Sequence, residues 1–173
     1  IPVTALHIRN DALEGMGALE YIAPVVDVGE GDFLLSREPN KRPALIERLL
    51  EREEFADYWA MKWSDLLRVK AEFPINLWPN AAQAYHRWIR TAIRENQPYD
   101  QFARELLTAS GSNFREPPVN FYRAMQNKSP SGIAQTVALT FMGTRADKWP
   151  THQLAGMAAF FSQVGAKTTA EWK

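Results

Sequence analysis

The chain of 173 residues contains no cysteine and only three histidines. The absence of cysteine excludes disulfide bonds, thiolate nucleophiles, iron–sulfur clusters, cysteine zinc sites and C-x-x-C-H haem attachment. The sequence also lacks a run of roughly 18 apolar residues, which a membrane-spanning helix needs, so we expect no membrane span. With 20 basic and 20 acidic side chains the formal net charge is zero. Since proteins that coat nucleic acid carry a basic excess, we expect no nucleic-acid partner.

The chain begins with Ile1-Pro2 and shows no basic segment followed by an apolar one, which is the pattern of a signal peptide. We therefore expect a mature or excised piece from which any signal peptide has been removed. Hydrophobic residues make up 46% and charged residues 23% of the chain. This composition is typical of a globular domain and excludes a disordered chain.

Apolar residues recur at helical spacing in most of the sequence after residue 36. The segment 1–36 differs, because it is rich in glycine and contains Tyr21–Val28, which could form a strand. We predict an all-α fold, an irregular array of about six helices with proline-rich bends. The predicted organisation is a single helical domain over 37–173, preceded by an irregular N-terminal segment or tether over 1–36.

Local signals predict several helix ends. Ser129-Pro130 combines a capping side chain with proline at the first helical position, and Gly143 is suited to end the same helix. Asp100 and Thr151 are predicted to cap two further helices. The helix between Pro130 and Met142 is apolar on most sides, which is typical of a buried helix. The large apolar residues expected to face inward on the helices include Leu66, Leu67, Leu139, Met142, Phe160 and Phe161.

The sequence carries few signs of a metal site or cofactor. The histidines form no pair at helical spacing and no H-E-x-x-H motif. Asp147 and His152 could face one pocket and bind a metal, although local capping explains Asp147 as well. The glycines near Asp27 and Gly15 lack the oxygen ligands of a calcium loop and the further glycine of a dinucleotide fingerprint. We expect no cofactor.

Two features of the sequence are candidates for ligand binding. Arg87, Arg90 and Arg94 follow helical spacing and predict an arginine ridge on one helix face. Arginine forks suit oxyanions, although such a face is also commonly balanced by neighbouring acids. The second candidate is the loop over 108–115, which contains the small polar residues Ser110, Ser112 and Asn113. Loops of this kind carry binding sites on helical scaffolds, or simply connect two helices.

Trp78 and Trp149 each precede a proline in an expected loop. An exposed tryptophan in a loop can stack on a sugar or on a partner protein. Packing at the edge of the core is the alternative reading of both residues.

Several segments of the chain resemble one family. The segments that carry the resemblance are 40–50, 53–59, 63–68, 85–89, 96–107, 139–145 and 158–161, and Pro98–Phe102 is the most specific of them. Over about 34–163 the chain resembles the planctomycete and verrucomicrobial cytochrome-associated helical domain of unknown function. Many members carry a C-x-x-C-H segment after the equivalent of Arg145, whereas this chain continues with Ala146 and Asp147. The chain therefore resembles a cysteine-free variant without the haem motif.

The resemblance implies an exported protein, periplasmic or on the cell surface, and it transfers no catalytic residue. We predict a non-catalytic helical binding or interaction module of a larger exported protein. Its expected partners are protein domains of the same parent chain or a surface polymer. One alternative is a redox-accessory domain beside a cytochrome c-like domain, with Met142, His86 or His152 facing the haem. Another is a polysaccharide-acting enzyme that uses two carboxylates such as Asp100 and Asp147.

Overall fold

The computed structural model describes residues 30–72, 75 and 77–166. Within these residues the protein is all-α, with no strand, as the sequence predicts. The described part of the chain contains eight α-helices rather than about six, namely α1 Glu30–Leu35, α2 Lys41–Leu50, α3 Glu53–Leu66, α4 Pro79–Arg94, α5 Tyr99–Thr108, α6 Asn120–Ala124, α7 Pro130–Met142 and α8 Thr151–Ala159. Two short 3-10 helices cover Pro117–Val119 and Ala146–Lys148. Among the described helices none has the length and apolar character to cross a membrane.

The chain divides into two compact units. The first contains the described residues up to Met61 together with Arg90–Phe102, and the second contains Lys62–Ile89 and the residues from Ala103 onward. The strand considered at Tyr21–Val28 lies outside the described residues. Residues 30–35 are helical, although they belong to the segment expected to be irregular. The predicted boundary between an N-terminal segment over 1–36 and a helical domain over 37–173 stays a prediction.

A lysine joins the first two helices of the first unit. Lys41 Nζ donates hydrogen bonds of 2.9 Å to the carbonyl oxygens of Phe33 and Ser36, and it lies 4.8 Å from the centre of the Phe33 ring. The start of α2 is thereby tied to the end of α1. The buried apolar residues of this unit are Leu49, Leu50, Ala56, Ala60, Ala92 and Phe102.

The second unit contains the larger part of the described core. Its α7 packs against α8, and the rings of Phe121 and Phe141 meet edge to face with centroids 5.6 Å apart. Tyr85 and Ile89 of α4 and Leu106 of α5 are fully buried in this unit. These helices position the loop between α5 and α6, which contains the polar residues singled out in the sequence.

The ends of α7 confirm the prediction from local signals. The Ser129 side chain accepts a hydrogen bond of 3.1 Å from the N–H of Gly132, and Pro130 is the first helical residue. Gly143 ends the helix with φ at 62°, in the left-handed region that glycine adopts without strain.

Two predicted caps are wrong. Helix α5 begins at Tyr99, because the N–H of Phe102 bonds to the carbonyl of Pro98 at 2.9 Å, so Asp100 lies inside the first turn. There its carboxylate stabilises the helix dipole without capping an N–H group. Thr151 is the first residue of α8 and makes no side-chain cap, because Pro150 occupies the capping position.

Four apolar residues expected to face inward are exposed instead. Leu66, Leu139, Met142 and Phe160 are exposed by 55%, 48%, 58% and 86%. Leu66 is the last residue of α3, and the chain leaves the helix at Arg68, whose φ is 57°. Leu139, Met142 and Phe160 lie in segments with apolar residues on several helix faces, and the described neighbouring elements cover only some of those faces. Leu67 and Phe161 are buried as predicted.

Candidate functional site

The loop between α5 and α6 forms one wall of an open cleft in the second unit, with a volume of about 940 Å³. Clefts that bind small molecules have volumes of roughly 300–1,000 Å³. We call this feature the loop cleft. Its described lining consists of Leu107–Asn113, Arg115, Glu116, Val119, Tyr122, Arg123, Met125, Lys128, Ile133 and residues 163–166.

A tight turn shapes the wall formed by the loop. Gly111 has a φ of 129°, a conformation that residues with a side chain rarely adopt. After it the carbonyl of Ser112 accepts hydrogen bonds from the N–H groups of Glu116 at 2.7 Å and Arg115 at 3.2 Å. The Ser112 hydroxyl accepts a third bond of 3.3 Å from the N–H of Phe114. The small residues of the sequence therefore build a defined turn.

Asn120, the first residue of α6, anchors the loop through its side-chain amide. It is fully buried, and its Nδ2 donates to the carbonyl oxygens of Asn113 at 2.9 Å and Pro117 at 3.0 Å. An amide that satisfies two backbone carbonyls replaces the regular hydrogen bonds that a loop lacks. The loop is thus fixed to α6.

Tyr122 fixes the other end of the loop. Its hydroxyl donates a hydrogen bond of 2.8 Å to the carbonyl of Leu107, in the last turn of α5. Burial raises the pKa of the Tyr122 phenol above its usual value near 10, so the hydroxyl keeps its proton at neutral pH and above. This hydrogen bond joins α6 to the last turn of α5.

Two buried amide atoms at this wall lack hydrogen-bond partners among the described residues. They are Nδ2 of Asn113, a donor, and Oδ1 of Asn120, an acceptor. Asn113 is 4% exposed and belongs to the lining of the cleft. An unpaired buried N–H group is costly, so such a donor in a cleft wall points to an acceptor supplied by a bound molecule or by water.

Charged residues around the cleft are mostly basic. The described lining contains Arg115, Arg123 and Lys128 against a single acidic residue, Glu116. All four side chains belong to exposed residues, so they meet solvent at the mouth of the cleft. The cleft therefore combines small polar groups in its wall with a basic rim.

The structure brings the predicted loop residues together. Ser110 is exposed, Ser112 is half-buried and Asn113 is buried, and all three line the loop cleft. That they bind a ligand stays a prediction. Arg123, Lys128 and Tyr122 were not predicted. They follow the loop in sequence by more than one helical turn, and only the fold places them at the same cleft.

None of the three arginines of the predicted ridge belongs to the lining of the cleft. Arg90 forms an ion pair of 2.6 Å with Glu53 and a second, shorter one with Asp57, and both carboxylates raise the pKa of its guanidinium. Arg94 lies 3.7 Å from Glu95. Arg87 is exposed, and among the described residues it forms no ion pair. That the ridge binds an anion stays a prediction.

The remaining candidates lie outside the lining of the cleft. Trp78 and Trp149 are half-buried, whereas Asp147 and His152 are exposed. Of the side chains considered for haem or for acid–base chemistry, Met142 and Asp100 are exposed and His86 is half-buried. Among the described residues no group of three or more histidine, aspartate or glutamate side chains could hold a metal ion. The roles predicted for these residues stay predictions.

A family model with the description PSCyt2, Protein of unknown function (DUF1549), matches residues 30–166. The match spans well over half of the chain. The chain belongs to the PSCyt2 family. Every described residue that lines the loop cleft lies within the PSCyt2 match, so the cleft is part of the family domain. The comparisons with curated proteins and with solved structures gave no match.

Proposed function

We propose that this PSCyt2 domain is a non-catalytic binding module and that the loop cleft is its ligand site. The observation that carries the proposal is Asn113, a buried side chain in the cleft wall whose Nδ2 has no acceptor among the described residues. Nδ2 itself has almost no accessible surface in this structure, so we propose that a ligand oxygen satisfies this donor once the Asn113 side chain turns toward the cleft. Binding sites characteristically place a few polar groups of this kind in a preformed cleft.

The construction of the wall supports a binding role. The bonds from Asn120 and Tyr122 fix the loop at both ends before any ligand arrives. A site held in its binding geometry loses little conformational entropy on association, which increases affinity. The volume of about 940 Å³ suits a short oligomer or a molecule of comparable size.

The chemistry of the lining favours binding over catalysis. Its described part contains one carboxylate, Glu116, and neither histidine nor cysteine. Glycoside hydrolysis by the usual route needs two carboxylates, and nucleophilic catalysis needs a nucleophile with an adjacent base. The described lining holds no second carboxylate, and it has no histidine beside its serines. The basic rim and the hydroxyl groups suit recognition instead.

The test is an NMR titration of the full chain, isotope-labelled, with four separate probes: tetragalacturonate, cellotetraose, tetra-aspartate and tetralysine. We expect at least one probe to give saturable shifts that cluster at Leu107–Asn113 and at Tyr122–Lys128. The variant Ser110→Trp fills the cleft mouth and should abolish them. Gln153→Trp, at an exposed position of α8 outside the lining, should not.

Two results would contradict the binding proposal. One is that no probe gives saturable shifts at the cleft. The other is that the shifts persist unchanged in Ser110→Trp, because a ligand in the cleft must compete with the new indole ring.

We also propose that the domain works within a larger exported protein, as its resemblance to cytochrome-associated domains implies. Fractionation of cells that produce the parent protein tests this setting. Recovery with the periplasm or the cell surface supports export, and recovery only with the cytoplasm contradicts it.

A further inference from the structure

We propose that the ligand of the loop cleft is an acidic saccharide, bound through its carboxylate or sulfate groups and through its hydroxyls. This inference rests on the proposed binding function of the cleft. It adds the chemical class of the ligand, which follows from the distribution of charge and of hydrogen-bonding groups in the lining.

The basic rim selects an anion. Arg123 and Lys128 come from α6 and from the linker after it, and both are exposed at the cleft. The two cations and Arg115 outnumber Glu116, so the mouth of the cleft attracts negative charge although the whole chain has a formal net charge of zero. Guanidinium and ammonium groups bind carboxylates and sulfates through charge-assisted hydrogen bonds.

The wall suits a ligand that is hydroxylated as well as charged. It offers the short polar side chains of Thr108, Ser110 and Ser112, together with the amide of Asn113. The Ser110 hydroxyl can both donate to and accept from a sugar hydroxyl, whereas Thr108 already donates to the carbonyl of Arg104 and Ser112 already accepts from the N–H of Phe114. The buried Nδ2 of Asn113 donates only, and a ring or hydroxyl oxygen of a sugar is a suitable acceptor.

An acidic peptide fits this cleft less well. Extended peptides usually add to the edge of a sheet, and amphipathic helices dock into apolar grooves. The described part of the chain has no strand, and the loop wall of the cleft is polar. A saccharide needs neither an edge nor an apolar groove.

The experiment measures binding of tetragalacturonate to the full chain by calorimetry and by NMR. The matched probe is the methyl ester of the same oligomer, which keeps the hydroxyls and removes the charge. Inorganic sulfate serves as a third probe, and tetra-aspartate as a fourth. We expect the ester to bind at least about tenfold more weakly, because the charge-assisted bonds are lost. Raising the salt from about 0.01 M to about 0.15 M should weaken the binding of tetragalacturonate and leave the affinity for its methyl ester nearly unchanged.

Variants locate the effect on the basic rim. Arg123→Gln and Lys128→Gln should each weaken tetragalacturonate binding by about threefold, which is the scale of one exposed charge pair. Arg145→Gln removes the same charge from an exposed position outside the lining and should leave the affinity unchanged. Because all three side chains are exposed, each variant should keep the fold, and the amide spectrum verifies this.

The outcomes separate this inference from the binding function. Equal affinity for the ester and the acid would overturn the anionic ligand while leaving the cleft a binding site. Full displacement of tetragalacturonate by sulfate at the same concentration would overturn the saccharide in favour of a small oxyanion. Binding of tetra-aspartate that is tighter than that of tetragalacturonate would overturn the saccharide in favour of an acidic peptide. Absence of binding by every acidic, neutral and basic probe would overturn both proposals.

Discussion

Helix α4 and the loop cleft both present clusters of positive charge, and they neutralise it differently. On α4, Arg90 is held by carboxylates of α3, and Arg94 lies close to the neighbouring Glu95. At the cleft, Arg123 and Lys128 stand beside a wall of small polar groups with Glu116 as the one acidic member of the described lining. The neighbouring helix balances Arg90, although Arg87 of α4 forms no ion pair among the described residues, and we propose that the charge at the cleft is available to a ligand. We therefore propose that similar residues serve stability on α4 and recognition at the cleft.

The largest expected effect tests whether Asn120 holds the cleft wall. Asn120→Ala leaves the carbonyls of Asn113 and Pro117 without their donor and opens a small cavity. We expect the free energy of unfolding to fall by about 2–4 kcal/mol. Urea unfolding measures the loss, and hydrogen exchange of the loop amides should accelerate.

Asn127→Ala is the control for Asn120, because Asn127 is exposed and also makes two side-chain hydrogen bonds, which its Oδ1 accepts from the N–H and the hydroxyl of Ser129. The free energy of unfolding of Asn127→Ala should fall by less than about 1 kcal/mol. An equal loss of unfolding free energy in the two variants would show that Asn120 does not stabilise the loop more than an exposed asparagine does. The contrast between the cleft and a helix surface would then fail.

The second prediction concerns the turn at Gly111. Gly111→Ala forces a φ of 129° on a residue with a side chain and brings the new Cβ to 3.3 Å from Cγ of Glu116. We expect a loss of about 1–3 kcal/mol in the free energy of unfolding. Thermal and urea unfolding measure it.

Gly156→Ala provides the opposite case within α8. Gly156 lies inside the helix, and a Cβ there meets no atom within 4 Å. We expect a gain of about 0.5–1 kcal/mol, because alanine loses less backbone freedom on folding. A gain for Gly111→Ala as well would mean that the turn at the cleft relaxes without cost.

The sequence predicted those parts of the fold that depend on local chemistry. Ser129, Pro130 and Gly143 define the ends of α7 because a cap, a fixed φ and a left-handed residue each act within one helical turn. Exposure could not be predicted in the same way. Leu139 and Phe160 follow apolar helical spacing, but only the packing of neighbouring elements decides which face is covered.

The candidate site was predictable in part for the same reason. Small polar residues identify the loop that contains Ser110 and Asn113, because such residues favour turns and interrupt the apolar helical spacing. The contribution of Lys128 to the same cleft depends on tertiary structure. The pairing of Arg90 with Glu53 joins residues 37 positions apart, and no local pattern encodes it.

The third prediction compares the two charged regions by their stability. Arg90→Gln removes the ion pairs with Glu53 and Asp57, so we expect a small fall in Tm that diminishes at high salt. Arg123→Gln at the cleft should leave the Tm unchanged without ligand. Calorimetry at low and high salt measures both variants. A fall for Arg123→Gln as large as that for Arg90→Gln would show that the cleft cation is a structural group too.

The smallest effect is a titration on the helix surface. The side chain of Arg52 donates hydrogen bonds to Glu54, and with a backbone hydrogen bond at Glu54 it lowers the pKa of that carboxyl from 4.5 to about 2. Since the pKa is depressed in the folded state, the pair stabilises the protein above pH 4.5. This contribution is lost as the pH falls from 4.5 through about 2.

In Arg52→Gln we expect the pKa of Glu54 to rise toward 4.5, measured by NMR of the side-chain carboxyl. Arg48→Gln removes an exposed cation of α2 and should leave the pKa of Glu54 at about 2. If Glu54 still titrates near 2 in Arg52→Gln, the backbone bond alone holds the carboxylate.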